Sequence, residues 1–399
     1  MKQHLLLAGI FIATLCNLQK VKAQTGITKL GTNALASNTT GDYNTGIGYY
    51  SLYRNTTGSQ NSATGAYSMY YNISGQYNTA NGYYSLLDNT AGRDNTAIGY
   101  YSLGRNTANY NTAIGSRSLY FNTSGSFNTA SGYHSLYNST TANYNTAAGY
   151  QSMYFNTTGN SNTGIGHSAL RSNTNGSKNT AVGDSAGASY NSTYSTFVGY
   201  KTVSKAPNLT NITLIGNQAS ATASNQVRIG NSAVTSIGGK VGWSTLSDGR
   251  FKKNVKADVP GLEFINKLKP ITYTLDIDRI DYASGVSEQP SGDQISARAV
   301  AMKEKHTGFV AQEVEEAANQ LNYDFGGVDK PKNDKDFYGL RYAEFVVPLV
   351  KAVQELNQKT EEENKKLKEE LAELRKLVME LKKGSVSNNS IPLFSAYLE

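Results

Sequence analysis

Apolar and polar positions recur with a period of seventeen residues over the first part of the chain, from residue 31 towards residue 200. An asparagine followed by Thr or Ser stands four positions before each repeat glycine, and Leu or Met stands four positions after all but the last. A fixed period with turn residues at fixed offsets is typical of a solenoid. The repeat glycines, with one interval of sixteen, are Gly48, Gly65, Gly82, Gly99, Gly115, Gly132, Gly149, Gly166 and Gly183.

The segments between turns are short and rich in Thr, Tyr, Ile and Val, which favours strands over helices. We predict a parallel β-roll over residues 24–200, with last coils or a β-rich neck over 201–246. Gly and Asn are expected at the corners because they tolerate positive φ, and stacked Asn side chains can satisfy backbone groups there. Because one coil supplies few large apolar residues, we expect several chains to pack around an axis and provide the missing burial.

Beyond residue 247 the repeat ends and the chain becomes dense in Lys and Glu. Residues 278–304 are polar and predict an irregular loop. Apolar residues then alternate at spacings of four and three, which predicts a coiled coil over 357–383 in a parallel oligomer. These seam residues are Leu367, Leu371, Leu374, Val378 and Leu381, and the same frame extends back through Val350, Val353, Asn357, Thr360 and Asn364.

Residues 1–23 have the pattern of a secretory signal: a basic start, an apolar run from Leu5 to Cys16, and small residues before Gln24. The run is too short to span a bilayer, so we expect no transmembrane segment after its removal. A lipoprotein role for Cys16 is disfavoured by the bulky Leu15. Since Cys16 is the only cysteine, the mature chain has no disulfide or cysteine metal site, and the four histidines are too scattered to hold a metal; no cofactor is expected.

The formal charge of +7 is spread thinly along the repeats, so nucleic-acid binding is not expected. Acidic residues are also sparse there, which excludes calcium-binding roll repeats and disfavours a glycan-hydrolysing carboxylate pair. Tyrosine recurs beside the repeat glycines, as at Tyr49, Tyr83 and Tyr100. Such a surface fits a passive spacer or adhesion to glycan, matrix or a cell-surface ligand; ice binding through regular Thr rows is a further alternative.

The repeat unit Asn95-Thr96-Ala97-Ile98-Gly99 and its copies over 31–200 resemble the YadA-like heads of trimeric autotransporter adhesins. That resemblance implies a left-handed β-roll in a trimer. The period here is longer than the usual adhesin repeat.

The stretch Ser247-Asp248-Gly249-Arg250-Phe251-Lys252, which follows the repeats, resembles the start of the self-cleaving chaperone of endosialidase tailspikes, peptidase family S74. Segments from Gly308 to Glu313 and from Tyr338 to Leu356 resemble later motifs of that family. The resemblance implies an α+β chaperone domain over 247–356, a trimeric coiled coil and a tail over 384–399. It also implies a Ser247–Lys252 dyad, cleavage between Leu246 and Ser247, and supporting roles for Asp248, Arg250, Gln312 and Glu313.

The residues themselves allow this chemistry without fixing it. A serine hydroxyl needs a base to become a good nucleophile, and a lysine serves only when its pKa is lowered towards neutrality. Five positions separate Ser247 from Lys252, so a short turn can join them. Lys253 and His306 are alternative bases, and a solvated turn in a chaperone that does not cut is the alternative to a dyad.

Together these patterns predict a mixed fold: a trimeric parallel β-solenoid followed by an α+β chaperone domain and a coiled coil. We expect an exported homotrimeric surface fibre, secreted or held on the outer-membrane side of a bacterial cell, whose only enzymatic activity is cleavage of itself. The alternatives are an uncleaved anchor fibre and, less favoured, a tailspike-type glycan-degrading enzyme.

Overall fold

The computed structural model of the chain describes residues 24–234, 236–283 and 292–387. The predicted signal 1–23 and nearly all of the predicted tail lie outside these residues. The chain forms two compact units. One contains the repeats together with residues 276–302 and 332–336, and the other contains the rest of the C-terminal region.

The repeats form a parallel β-solenoid of about twelve turns. One strand from each coil enters a thirteen-stranded parallel sheet, and each strand pairs in register with its counterpart in the next coil. These strands are Thr28–Leu30, Thr45–Ile47, Ser62–Thr64, Thr79–Asn81, Thr96–Ile98, Thr112–Ile114, Thr129–Ser131, Thr146–Ala148, Thr163–Ile165, Thr180–Val182, Thr196–Val198, Thr213–Ile215 and Val227–Ile229.

The last coils carry two additional parallel pairs outside the main sheet. Ser192–Thr193 pairs with Leu209–Thr210, and Val203–Ser204 pairs with Ser220–Ala221. The solenoid therefore continues in strand form to Ile229, over the first part of the segment 201–246 that the sequence predicted as last coils or a β-rich neck, and residues 236–246 carry no strand.

The solenoid core is complete within one chain. The Leu or Met four positions after the repeat glycines from Gly48 to Gly166 is fully buried, as are the small residues at the middle of the strands from Thr45–Ile47 to Thr180–Val182. Examples are Leu52, Met69, Leu86 and Ala97, each with no exposed surface. The stacked coils thus place one apolar side chain per coil in a continuous buried column. The outward apolar side chains of the strands stay partly uncovered, with Ile98 40%, Ile114 43% and Ile165 44% exposed, so packing of further chains against the roll stays a prediction.

Positive φ angles occur at different residues from those expected. The repeat glycines adopt them, as at Gly48 with φ of 129°, but the buried repeat asparagines do not. Instead Tyr43, just before such an asparagine, has φ of 57°, and the core residue Leu52 has φ of 49°. Non-glycine residues pay a steric cost in this region, so the burial of Leu52 must hold it there.

The asparagines are instead placed for hydrogen bonding between coils. The Asn61 side-chain amide donates to the carbonyl oxygen of Gly75 at 2.8 Å and to Asn44 Oδ1 at 3.1 Å. A second column runs through the turns, where Asn72 Nδ2 donates to Asn55 Oδ1 at 2.7 Å. These two ladders confirm that stacked Asn side chains satisfy buried polar groups at the corners.

The described part of residues 278–304 is largely helical and not the irregular loop that its polarity predicted. Its helices are Ile277–Ala283 and Gly292–Ala301. Arg298 is largely buried and forms ion pairs with Asp278 and Asp281, which explains how a polar segment becomes ordered.

Both short segments of this unit contact the final coils. Ser232 Oγ lies 2.6 Å from Asp281 Oδ1, and Asp336 Oδ1 accepts hydrogen bonds from Thr222 Oγ1 at 2.6 Å and Gln226 Nε2 at 3.2 Å. Polar groups at the end of the solenoid thus gain partners from residues that follow it in sequence by about a hundred positions.

The second unit is a small mixed α/β arrangement that ends in a long helix. Its core is built around Phe264, Val314, Phe325 and Phe345. Its elements are the helices Leu262–Ile265, Ala311–Asn319 and Val346–Ser387, the 3-10 turns Gly249–Phe251 and Tyr342–Phe345, the antiparallel pair Ile271–Tyr273 with His306–Gly308, and the antiparallel pair Val328–Asp329 with Gly339–Leu340.

Candidate functional site

The segment that begins at Ser247 forms a short turn. Asp248 caps the 3-10 turn Gly249–Phe251, where its Oδ1 accepts the Arg250 backbone N–H at 2.9 Å. The Arg250 guanidinium returns to the same carboxylate, with Nη2 2.6 Å from Oδ2. These hydrogen bonds from the Arg250 side chain and backbone hold the pKa of Asp248 below its usual value, so the pair is charged at neutral pH.

This turn brings the predicted nucleophile and base together. Lys252 Nζ lies 2.9 Å from Ser247 Oγ, within hydrogen-bond distance. Both side chains are exposed in the single chain. A lysine that acts as a base needs an environment that disfavours its charge, so the pair has the contact but lacks the burial that the chemistry requires.

Large apolar side chains near the turn are also exposed. Trp243 is 90% exposed, Leu246 80%, Phe251 68% and Val255 78%. Contiguous exposed apolar side chains of this size indicate a surface that a partner covers.

Gln312 and Glu313 lie at the start of the helix Ala311–Asn319. Glu313 Oε1 is 3.6 Å from Lys269 Nζ, and Gln312 lines a groove of about 600 Å³ with Tyr273, Phe309 and Tyr342. Among the described residues, no hydrogen bond or ion pair joins these two side chains to Ser247 or Lys252. They are thus placed as part of the domain framework.

The two alternative bases are also apart from the pair. His306 opens the strand His306–Gly308, where its ring packs 5.5 Å from that of Tyr273. Lys253 follows the turn and is exposed. Neither has a hydrogen bond to Ser247 in the described part of the chain, so Lys252 is the base candidate that the geometry favours.

A family comparison decides what this region is. Residues 247–323 match the model of the chaperone of endosialidase, peptidase S74. The match begins at Ser247, the first residue of the turn, and lies wholly C-terminal to the repeats. None of the curated proteins compared with the chain matches it. The S74 chaperone domain is therefore established for this segment, while the likeness of the repeats to adhesin heads stays a prediction.

Tyr342 ties the S74 segment to the residues that follow it, a role that the sequence did not reveal. Its hydroxyl accepts the Phe309 backbone N–H at 3.1 Å. A Cβ at Gly308 would collide with the same hydroxyl, which explains why glycine precedes Phe309. The segments that contain Gly308-Phe309 and Tyr342 were both recognised in the sequence. Their contact could not be predicted, because it depends on the fold.

Glu355 has a comparable role on the long helix Val346–Ser387. Its Oε2 accepts the Leu262 backbone N–H at 2.7 Å, at the start of the helix Leu262–Ile265. A side chain at Gly261 would collide with this carboxylate. The first turns of the long helix are thereby fixed to the S74 segment.

Over residues 24–234, 236–283 and 292–387, no helix is long and apolar enough to cross a membrane. No group of three His, Cys, Asp or Glu side chains there is placed to hold a metal ion.

Proposed function

We propose that the protein is an exported homotrimeric surface fibre in which the S74 domain aligns three chains, assists folding of the solenoid and then cuts before Ser247. The observation that carries this proposal is the S74 match, which starts at Ser247, after the last solenoid strand Val227–Ile229 and at the turn where Ser247 meets Lys252. A domain of this family implies a fibre or tailspike type of protein.

The trimer is supported by the long helix Val346–Ser387. Its seam side chains are exposed in one chain: Leu367 is 61% exposed, Leu374 57% and Leu381 73%. Residues spaced four and three apart bury such a stripe by packing against parallel copies. Three long helices held in register would keep the solenoid segments of the three chains at a high local concentration. This offsets the slow pairing of distant β-segments.

Cleavage would proceed by transfer of the Leu246 acyl group. Lys252, neutral in a buried site, accepts the Ser247 hydroxyl proton, and Oγ attacks the Leu246 carbonyl carbon. The bond from that carbon to the Ser247 nitrogen breaks, the nitrogen takes the proton from Lys252, and an ester remains. Water then hydrolyses the ester, releasing a Leu246 carboxylate and a free Ser247 amine. Trimer assembly would supply the burial that a single chain lacks.

Intact mass, N-terminal sequencing and sedimentation of the purified protein test this proposal together. We expect two fragments, the second beginning at Ser247, and a trimeric mass before and after cleavage. A full-length trimer would support the uncleaved anchor fibre instead. A folded, uncleaved monomer would contradict the proposal.

The adhesive part of the proposal belongs to the solenoid. Its exposed tyrosines favour contact with a glycan, matrix or cell-surface ligand over a purely passive spacer. Binding by the cleaved solenoid to one of these classes of ligand would support it.

A further inference from the structure

One face of the solenoid is built from tyrosine and arginine. We define this aromatic face as the side chains one, two, five and six positions after the repeat glycines from Gly48 to Gly166. Rings in successive coils stack along it, with the centroids of Tyr83 and Tyr100 6.0 Å apart and those of Tyr137 and Tyr154 5.2 Å apart. Exposed apolar patches of this extent mark interaction sites.

The stacking determines which parts of the rings a ligand can reach. Tyr83 and Tyr100 are 44% and 42% exposed, and their planes differ by only 3°, so one face of each ring is turned towards the other. Ring edges and phenolic hydroxyls are among the parts that a ligand can reach. Because an aromatic edge carries the positive part of the ring quadrupole and a hydroxyl donates hydrogen bonds, this face favours a ligand rich in oxygen and negative charge.

Arginines complete the same surface. The guanidinium carbons of Arg54, Arg105 and Arg171 lie 4.9, 5.1 and 5.0 Å from the ring centroids of Tyr71, Phe121 and Phe155. Cation–π contact orders these side chains while their N–H groups remain able to bind an anion.

Acidic side chains do little to offset that charge. Within the four columns and the same coils, Asp88 is the acidic residue, and burial raises the pKa of its carboxyl. With Arg54, Arg105, Arg117 and Arg171 against this one carboxyl, the aromatic face has a net positive charge.

Four arginines lie on this face. Arg117, in the coil after that of Arg105, has its guanidinium carbon 5.5 Å from the Tyr100 ring centroid. Three coils separate Arg54 from Arg105 and four separate Arg105 from Arg171, which at ~4.8 Å per coil corresponds to about 14 and 19 Å. Double-stranded DNA carries a charge every ~1.7 Å, far more densely than this face can match. Single-stranded nucleic acids bind through bases stacked on open rings, and the rings here stack on one another.

We propose that the aromatic face binds a linear acidic polysaccharide, with its anionic groups at Arg54, Arg105 and Arg171 and its hydroxyls at the tyrosine edges. A second copy of the chain fits this face less well, because parallel packing would bring the same arginines of each copy together. The proposal extends the surface-fibre function, but binding in solution requires neither export nor cleavage.

The test uses the mature chain with Ser247→Ala, so that one species is present, and measures binding to hyaluronan, dextran and oligothymidylate by calorimetry at two salt concentrations. The test variant is Arg54→Gln/Arg105→Gln/Arg171→Gln. The control is Arg93→Gln/Lys178→Gln/Arg228→Gln, which removes the same charge outside the aromatic face. Thermal denaturation establishes that both variants fold.

Hyaluronan is expected to bind at least about tenfold more tightly than dextran, and the test variant to lose about tenfold or more of that affinity. The control variant should retain its affinity within about twofold. Equal losses in both variants, equal binding of dextran, tighter binding of oligothymidylate, or no binding of hyaluronan would each overturn the proposal. None of these outcomes would bear on trimerisation or cleavage, which are read from mass and sedimentation.

Discussion

The solenoid and the long helix Val346–Ser387 treat their apolar residues in opposite ways. In the solenoid, Leu52 and its counterparts are fully buried within one chain, and asparagine ladders satisfy the polar groups around them. In the helix, the seam from Leu367 to Leu381 is exposed throughout. The helix seam therefore requires a partner for its burial, whereas the solenoid buries its inner column alone and leaves only outward side chains such as Ile98, Ile114 and Ile165 partly exposed.

This contrast separates stability from assembly. A solenoid that is complete in one chain, once formed, can persist after its chaperone is removed, because each coil is stabilised by its neighbours. The S74 region, by contrast, leaves its helix seam and the apolar side chains around Ser247 uncovered. This distribution of buried and exposed surface fits the proposal of a chaperone that works only when assembled and is then removed by cleavage.

The largest expected effect comes from charging the helix seam. Leu371→Lys with Leu374→Lys places cations on the surface that we expect three helices to share, and should convert the trimer to monomers and stop cleavage. Sedimentation and gel electrophoresis measure the two effects. Met379→Lys changes a residue that is also exposed but lies off the seam, and should leave both unchanged. A trimer that survives the double change would place the oligomer contact elsewhere.

The next effect concerns chemistry without assembly. Ser247→Ala and Lys252→Ala should each abolish cleavage while the trimer remains, since neither side chain belongs to the core of its unit. Lys252→Arg should fail as well, because a guanidinium stays protonated and cannot accept the serine proton. Lys253→Ala is the control and should cut normally. Cleavage that persists in Lys252→Ala would point to His306 or to an external protease.

The solenoid could be predicted from the sequence because every coil repeats the same pattern. A coil with an atypical turn is still recognised from the coils on either side of it. The sequence did not predict the left-handed conformation of Leu52, since leucine disfavours positive φ and only the stacking of coils imposes it. The role predicted for the repeat asparagines is therefore confirmed only in part. They satisfy buried groups between coils but do not occupy the positive φ positions.

At the candidate site, the sequence predicted that Ser247 and Lys252 can meet, but not the contacts that hold the surrounding domain together. The five-residue spacing correctly indicated that a turn could join Ser247 to Lys252. The contacts of Tyr342 with Phe309 and of Glu355 with Leu262 span 33 and 93 positions, and no local pattern encodes them. The helices at 277–283 and 292–301 were missed because Arg298 is ordered by acidic partners that a polarity pattern cannot pair.

The stability of the solenoid can be tested at one asparagine of the column that runs through the turns. Asn72→Ser would leave Asn55 Oδ1 without its donor at 2.7 Å and would remove one of the two acceptors of Asn89 Nδ2, which keeps the Gly92 carbonyl oxygen at 3.0 Å. Unsatisfied buried groups should lower the free energy of unfolding by about 2–3 kcal/mol. Asn81→Ser, at an exposed strand position, should change it little. Denaturant midpoints in the Ser247→Ala background measure both, and equal midpoints would remove the ladder as a source of stability.

The smallest effect would repair a gap that is already present. Ser139 stands where the turn column otherwise has asparagine, and within the described part of the chain its Oγ and Asn122 Oδ1 are buried without hydrogen-bond partners. Ser139→Asn should let the new amide donate to Asn122 Oδ1 and raise the free energy of unfolding by ~1 kcal/mol. The coil ends in Ala142 where most others have glycine. In the other coil with alanine at this position, Asn106 donates to the Ala108 carbonyl oxygen at 2.9 Å, while within the described residues Asn89 Oδ1 of the preceding coil is buried without a partner. A lower denaturation midpoint for Ser139→Asn would mean that this coil is too narrow for the amide, and that serine marks a constriction and not a missing rung.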